Sequence, residues 1–178
     1  MKVQLPPTVN KFLGILRAEE GPEVLPRSVP LLVASLTFFA VAQFLTKLFT
    51  HPPLRAAGIG LIGVIVLAAI AFACSRLFRR ADRLPQILTA MAAGGAAVAI
   101  VNLVVRLLLK FAFHEMDMDI LPVDSIVNFL VFPLFLWNVL VYVSIFRRGL
   151  SAGMILSFAM SFALTLAIVF WIPLLLKV

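Results

Sequence analysis

Residues 56–75 read AAGIGLIGVIVLAAIAFACS, twenty consecutive positions without a charged side chain. At 1.5 Å per residue, a helix of that length spans about 30 Å, the thickness of a bilayer's hydrocarbon core. Comparable stretches flank it, so the chain carries five apolar segments at about 29–49, 56–75, 87–109, 126–146 and 152–176. The expected fold is therefore all-α: a polytopic membrane protein of five transmembrane helices, preceded by a short amphipathic interfacial helix within a leader of residues 1–28.

Composition agrees. Of 178 residues 63% are hydrophobic and 13% charged, more apolar surface than a soluble domain of this length can cover. The connections are short, so residues 29–178 form one membrane domain, with no length left for a separate soluble one. A net charge of +7 in a soluble protein would point to nucleic acid. Here the basic residues flank the apolar segments, where topology and anionic headgroups account for them, so the expected partner is the lipid bilayer and no nucleic acid. The single cysteine, Cys74, excludes an intramolecular disulfide and reads as a small buried apolar residue.

The leader does not read as a signal peptide, since Glu19, Glu20 and Glu23 stand where a basic start and an apolar core would be needed, and the first span is expected to be retained. Pro6 and Pro7 precede Thr8, an N-cap residue type. From 9 to 20 a helix would place Val9, Phe12, Leu13 and Leu16 on one face and Asn10, Lys11, Arg17 and Glu20 on the other. Gly21 and Pro22 would stop it. Such a helix lies in the interface or against the ends of the spans, and docking onto its own domain is favoured over a partner.

Inside the spans, small and polar residues mark where helices meet. Pro30 sits in the first turn of span one, which closes at Thr50 to Pro53. Ala57, Gly60 and Gly63 recur every three residues in span two, and span three contains the run Ala92, Ala93, Gly94, Gly95, Ala96 and Ala97. Both patterns let backbones approach closely, and the second makes span three the central helix. Pro133 predicts a kink in span four. Span five carries Ser157, Ser161 and Thr165 at four-residue spacing and ends near Trp171, an interfacial anchor.

Ten Lys and Arg residues fall in the leader and in the second and fourth connections, against five on the opposite side together with Glu115, Asp117, Asp119 and Asp124. The positive-inside rule then places the N-terminus in the cytoplasm and the C-terminus outside.

Candidate functional groups are few. Asn102 and Arg106, four apart on span three, share a face. Asn128, Asn138 and Tyr142, with Trp137, concentrate polar groups around Pro133 in span four, either lining a cavity or bonding neighbouring helices. Arg79, Arg80, Arg147 and Arg148 offer a cytoplasmic contact for phosphate headgroups or an acidic partner. The run from His114 to Asp119 mixes metal-ligand types but not at a ligand spacing, so no metal is expected, and it reads as a solvated acidic loop. No phosphate loop, nucleophile elbow or mid-membrane carboxylate occurs, so no enzyme activity, catalytic residue or cofactor is expected.

The order of features supplies a resemblance. The leader motif Pro6, Pro7, Thr8, Val9, Asn10, Lys11, Phe12 precedes five spans, FRRADRLP (78–85) leads into span three, and WNVLVYVSIFRRGLS (137–151) leads into span five. This pattern, covering most of the chain, resembles the Yip family of five-span membrane proteins. The resemblance implies a cytoplasmic N-terminus; eukaryotic members are implicated in vesicle traffic and contact small prenylated GTPases. A short leader implies a prokaryotic-type relative in an inner membrane. The expected function is membrane organisation or assembly through helix packing with itself or another membrane protein. The alternative is a small oligomeric permease or channel with a polar path through spans three and four.

Overall fold

The computed structural model describes residues 6–115 and 123–176; the side chains at 110, 113–115, 123–125, 127 and 128 lie outside that description. Among the described residues all regular structure is helical: α1 (Pro7–Leu16), α2 (Val29–Lys47), α3 (Pro53–Leu77), α4 (Leu84–Glu115), α5 (Val123–Gly149), α6 (Met154–Leu166) and α7 (Ile172–Leu175). Five helical stretches are long and apolar enough to cross a membrane. The protein is a polytopic integral membrane protein.

Prolines set several helix starts earlier than the hydropathy pattern does. Pro53 opens α3 with its ring at the first helical position, where a missing N–H costs nothing and the fixed φ suits the helix. Pro7 does the same for α1, so Pro6 and not Thr8 precedes the first turn, and no side chain caps it. Ser28 caps α2 by accepting the Leu31 N–H at 3.4 Å.

Helix α1 ends at Leu16 rather than at Glu20. Ala18 adopts φ 60°, and the N–H groups of Ala18 and Glu19 turn back to the carbonyls of Ile15 and Gly14, the paired bonds of a Schellman ending. The same ending closes α3, with Arg79 at φ 55° and Arg80 N–H bonded to Ser75 O at 2.8 Å. Both left-handed positions hold side chains where glycine is usual, at a cost of roughly 1–2 kcal/mol each.

Helix α4 is central. Sixty-one percent of its apolar window is buried, against 22–39% for the other four spans, and it packs on α2, α3 and α5. Its glycines are the reason. A Cβ at Gly95 would stand 2.7 Å from the Phe39 ring on α2 and closer still to the Tyr142 hydroxyl on α5; one at Gly94 would meet Val141 at 3.1 Å. Gly60 performs the same service between α2 and α3, where a Cβ would stand 2.9 Å from the Ala40 carbonyl. The small-residue runs in spans two and three thus mark the closest backbone approaches.

Helix α5 continues through Pro133. A break in α-helical geometry falls in the fifth span, where Ala167–Trp171 form a π-helical segment between α6 and α7. Pro173 follows. Its ring would press on the carbonyl four residues back, and the wider π turn relieves that clash. Ser161 and Thr165 donate to the carbonyls of their own helix four residues back, at 2.7 and 2.8 Å, so their spacing reflects back-bonding rather than bonds between helices.

Candidate functional site

The polar groups divide into three clusters. The first ties the leader to the bundle. Helix α1 ends with carbonyls that have no intrahelical partner, and side chains of α5 supply the donors. Trp137 Nε1 donates to Leu16 O at 3.1 Å. Arg148 donates to Ala18 O at 3.0 Å and to Glu19 O, placing a cation at the negative end of the helix dipole. Gln86, at the start of α4 and buried, donates to Leu25 O at 2.6 Å and Glu23 O at 3.3 Å. Outside these, Arg27 and Asp82 form an exposed ion pair at 3.4 Å, a contact of little energetic consequence.

The second cluster lies where α2 and α4 meet farther along the bundle. Thr46 Oγ1 bonds Ala42 O at 2.8 Å and reaches across to Ala99 O at 3.1 Å. Arg106 Nε donates to Asn102 Oδ1 at 2.9 Å, so the predicted pair does share a face and uses it in a bond within its own helix. At the same end of α3, Arg55 donates to Pro173 O at 2.8 Å and so fastens α3 to α7.

The third cluster is the α4–α5 seam. Tyr142 is fully buried against Gly95. The Tyr142 hydroxyl and the Asn138 amide oxygen, one turn apart, are buried without a hydrogen-bond partner of good geometry. Cys74, half-buried, points its thiol at Met160 Sδ at 3.6 Å and links α3 to α6.

The predicted polar set is thus dispersed. Asn102 and Arg106 belong to the second cluster, and Asn138 and Tyr142 to the third. Asn128 lies on α5, and its side chain is outside the described residues. Of the four arginines proposed as a contact surface, Arg148 is spent on the leader, while Arg79 and Arg147 are exposed and Arg80 is half-buried. Residues 116–119 and the side chains of His114 and Glu115 lie outside the described residues, and among those described no three His, Cys, Asp or Glu side chains gather as a metal site.

The sequence reading missed Gln86, Thr46, Arg55 and the role of Trp137. A glutamine directly after the helix-opening Pro85 was the available signal for the first. The others carry no pattern, because their partners are backbone carbonyls 53, 118 and 121 residues away.

A cavity of about 550 Å³ lies between α1, α2 and α4, bordered by Leu16 of the first cluster and Gly94 of the α4–α5 seam. Its lining is apolar apart from Ser35.

These features define the class: a helical membrane protein of five spans with a leader helix pinned to the bundle. No family model matches the chain, and neither the curated proteins nor the solved structures contain a significant match to it.

Proposed function

We propose that this chain is a noncatalytic integral membrane protein acting in membrane organisation or assembly, through helix packing with itself or another membrane protein. In this reading it sits in a bacterial inner membrane with its N-terminus in the cytoplasm and its C-terminus outside, as a prokaryotic-type relative of the Yip family. The orientation is supported by the ten-to-five division of Lys and Arg between the two sides.

The observation that carries the reading is where the polar side chains of α4 and α5 go. A solute path needs them to converge on one wet cavity. Here Asn102 pairs with Arg106 in its own helix, Trp137 holds the leader, and Tyr142 is sealed against α4. The cavity is apolar and lined by other residues. Polar groups spent on separate local contacts rather than on one shared path suit a packing protein.

Two surfaces suit such contacts. Arg79 and Arg147 are exposed at the leader end. On the membrane face, Phe132 and Phe158 are about half-exposed and belong to an aromatic group joining α5 and α6, in which Phe135 meets Phe162 edge-on at 6.0 Å and Phe158 stacks on Phe162 at 6.0 Å. Aromatic surface of this kind packs well against a neighbouring helix.

The test is co-purification of tagged protein in native nanodiscs, with mass spectrometry of the bound proteins, paired with solute-flux assays on proteoliposomes. A stoichiometric membrane partner or a defined homo-oligomer is expected, with no flux that depends on Asn138. Solute flux in the wild type that Asn138→Leu abolishes would overturn the reading in favour of a permease.

A further inference from the structure

The apolar face of the leader helix is not closed. Val9 is 40% exposed and Phe12, Leu13 and Leu16 are only half-buried, while the buried residues of that helix are Gly14 and Ile15. Under the open face runs the 550 Å³ groove, whose far wall includes Ala34 and Phe38 of α2 and Ala93 and Ala97 of α4. The volume falls in the range of ligand pockets, roughly 300–1,000 Å³. A groove with one hydroxyl offers water almost no partners, so its natural occupant is apolar.

The surroundings say which apolar occupant. Ala34 and Phe38 lie on the same helical stripe as Val41 and Leu45, and Phe38, Val41 and Leu45 are all 40–50% exposed. The groove wall is therefore continuous with the lipid-facing surface of α2. A hydrocarbon chain enters it sideways from the bilayer without passing through water. The charge at that end selects the headgroup. Residues 6–28, 76–83 and 147–148 hold nine Lys or Arg against four Asp or Glu, with Lys11 and Arg17 exposed on or next to the leader helix itself. Such an excess attracts anionic lipid.

We infer that the groove between α1, α2 and α4 holds one acyl chain of an anionic phospholipid, which completes the packing of the leader helix. Gln86, Trp137 and Arg148 fasten the C-terminal end of the leader; the lipid chain fills the space under the rest. This goes beyond the assembly role and does not depend on it, since a chain with no protein partner would still hold the lipid.

Full-length protein is reconstituted with phosphatidylglycerol and phosphatidylcholine, released into mild detergent and weighed by native mass spectrometry. The wild type is expected to keep one phosphatidylglycerol. The double variant Ala93→Leu, Ala97→Leu, which fills the groove, is expected to keep about tenfold less, while Leu61→Phe on the lipid-facing side of α3 leaves retention unchanged. Replacing Lys11 and Arg17 with alanine lowers the preference for phosphatidylglycerol by about fivefold per residue. No retained lipid in the wild type, equal retention in the filled variant, or an unchanged headgroup preference overturns the inference. A second measurement needs no groove-filling variant: a photoreactive residue replacing Phe12 is irradiated in phosphatidylglycerol vesicles. A lipid adduct at residue 12 is expected, and an adduct to a second copy of the chain would assign the groove to a protein contact instead.

Discussion

Gly95→Ala is the perturbation whose outcome the structure specifies most closely. In an isolated helix the change would stabilise by up to about 1 kcal/mol, because alanine is the better helix former. Here the new methyl would sit 2.7 Å from Phe39 Cε2 and 3.1 Å from Phe39 Cδ2, and closer still to the Tyr142 hydroxyl. Both neighbours are fully buried, on different helices, so neither side chain can swing into open space. Overpacking of this kind costs about 1–3 kcal/mol. With two pinned neighbours the steric cost falls at the upper end, about 3 kcal/mol, and a net loss of about 2 kcal/mol is expected after the propensity gain of about 1 kcal/mol is subtracted. The hydroxyl offers an internal control. It makes no hydrogen bond of good geometry, so Tyr142→Phe alone is close to neutral. Combined with Gly95→Ala, it removes the nearest clash but leaves the Phe39 contact, and about half the loss returns. The assay is reversible unfolding in mixed micelles, run as a double-mutant cycle. A Gly95→Ala variant within about 0.5 kcal/mol of wild type, or a double variant with no coupling, would refute the claim that α4 is held by close contact at this glycine.

Four further outcomes follow from the same geometry. Gly60→Ala meets the Ala40 carbonyl at 2.9 Å, a backbone atom that no rotamer change can move, so it should lower stability by about 1–3 kcal/mol with no single side-chain substitution restoring it. Ala18→Gly relieves the left-handed residue that ends α1 and should stabilise the helix end by about 0.5–1 kcal/mol, read as slower amide exchange in residues 8–20. Trp137→Phe keeps an aromatic side chain but removes the donor to Leu16 O and trims the indole that packs on the core; a loss of at least about 1 kcal/mol should speed exchange in α1 and leave α3 unchanged. Thr46→Val deletes the bond from α2 to Ala99 O and should cost only about 0.6 kcal/mol in the same unfolding titration, the usual scale for a hydrogen bond between membrane helices.

The amino-acid sequence by itself determined the class of the protein and the ordering of its spans. Twenty apolar residues in a row have no soluble alternative, because each backbone polar group in lipid must bond within its own helix. It also determined the central helix, since the Ala and Gly run at 92–97 is a poor soluble helix and a good place for three helices to meet. Local chemistry carried less far. Pro53 was read with the close of span one and also opens α3; a kink was expected at Pro133, where α5 runs on as helix, while the π segment comes just before Pro173. Which proline distorts a helix depends on how neighbours hold the freed carbonyls, and that is a property of the assembled bundle.

Only the tertiary structure decided what the polar residues do. Asn102 and Arg106 found each other because they lie four apart on one helix, a relation visible in the sequence. Trp137, Arg148, Gln86 and Thr46 bond instead to backbone carbonyls of distant segments. Every residue carries the same carbonyl, so no sequence pattern identifies such a partner. The leader shows the same limit. Its apolar face at Val9, Phe12, Leu13 and Leu16 was legible from the helical period, but that face closes on the core only in part, at Phe12 and Leu16, and otherwise lies over a groove. Periodicity states which side of a helix avoids water. What that side meets is set by the volumes of the residues opposite, and here small alanines on α2 and α4 leave the space open.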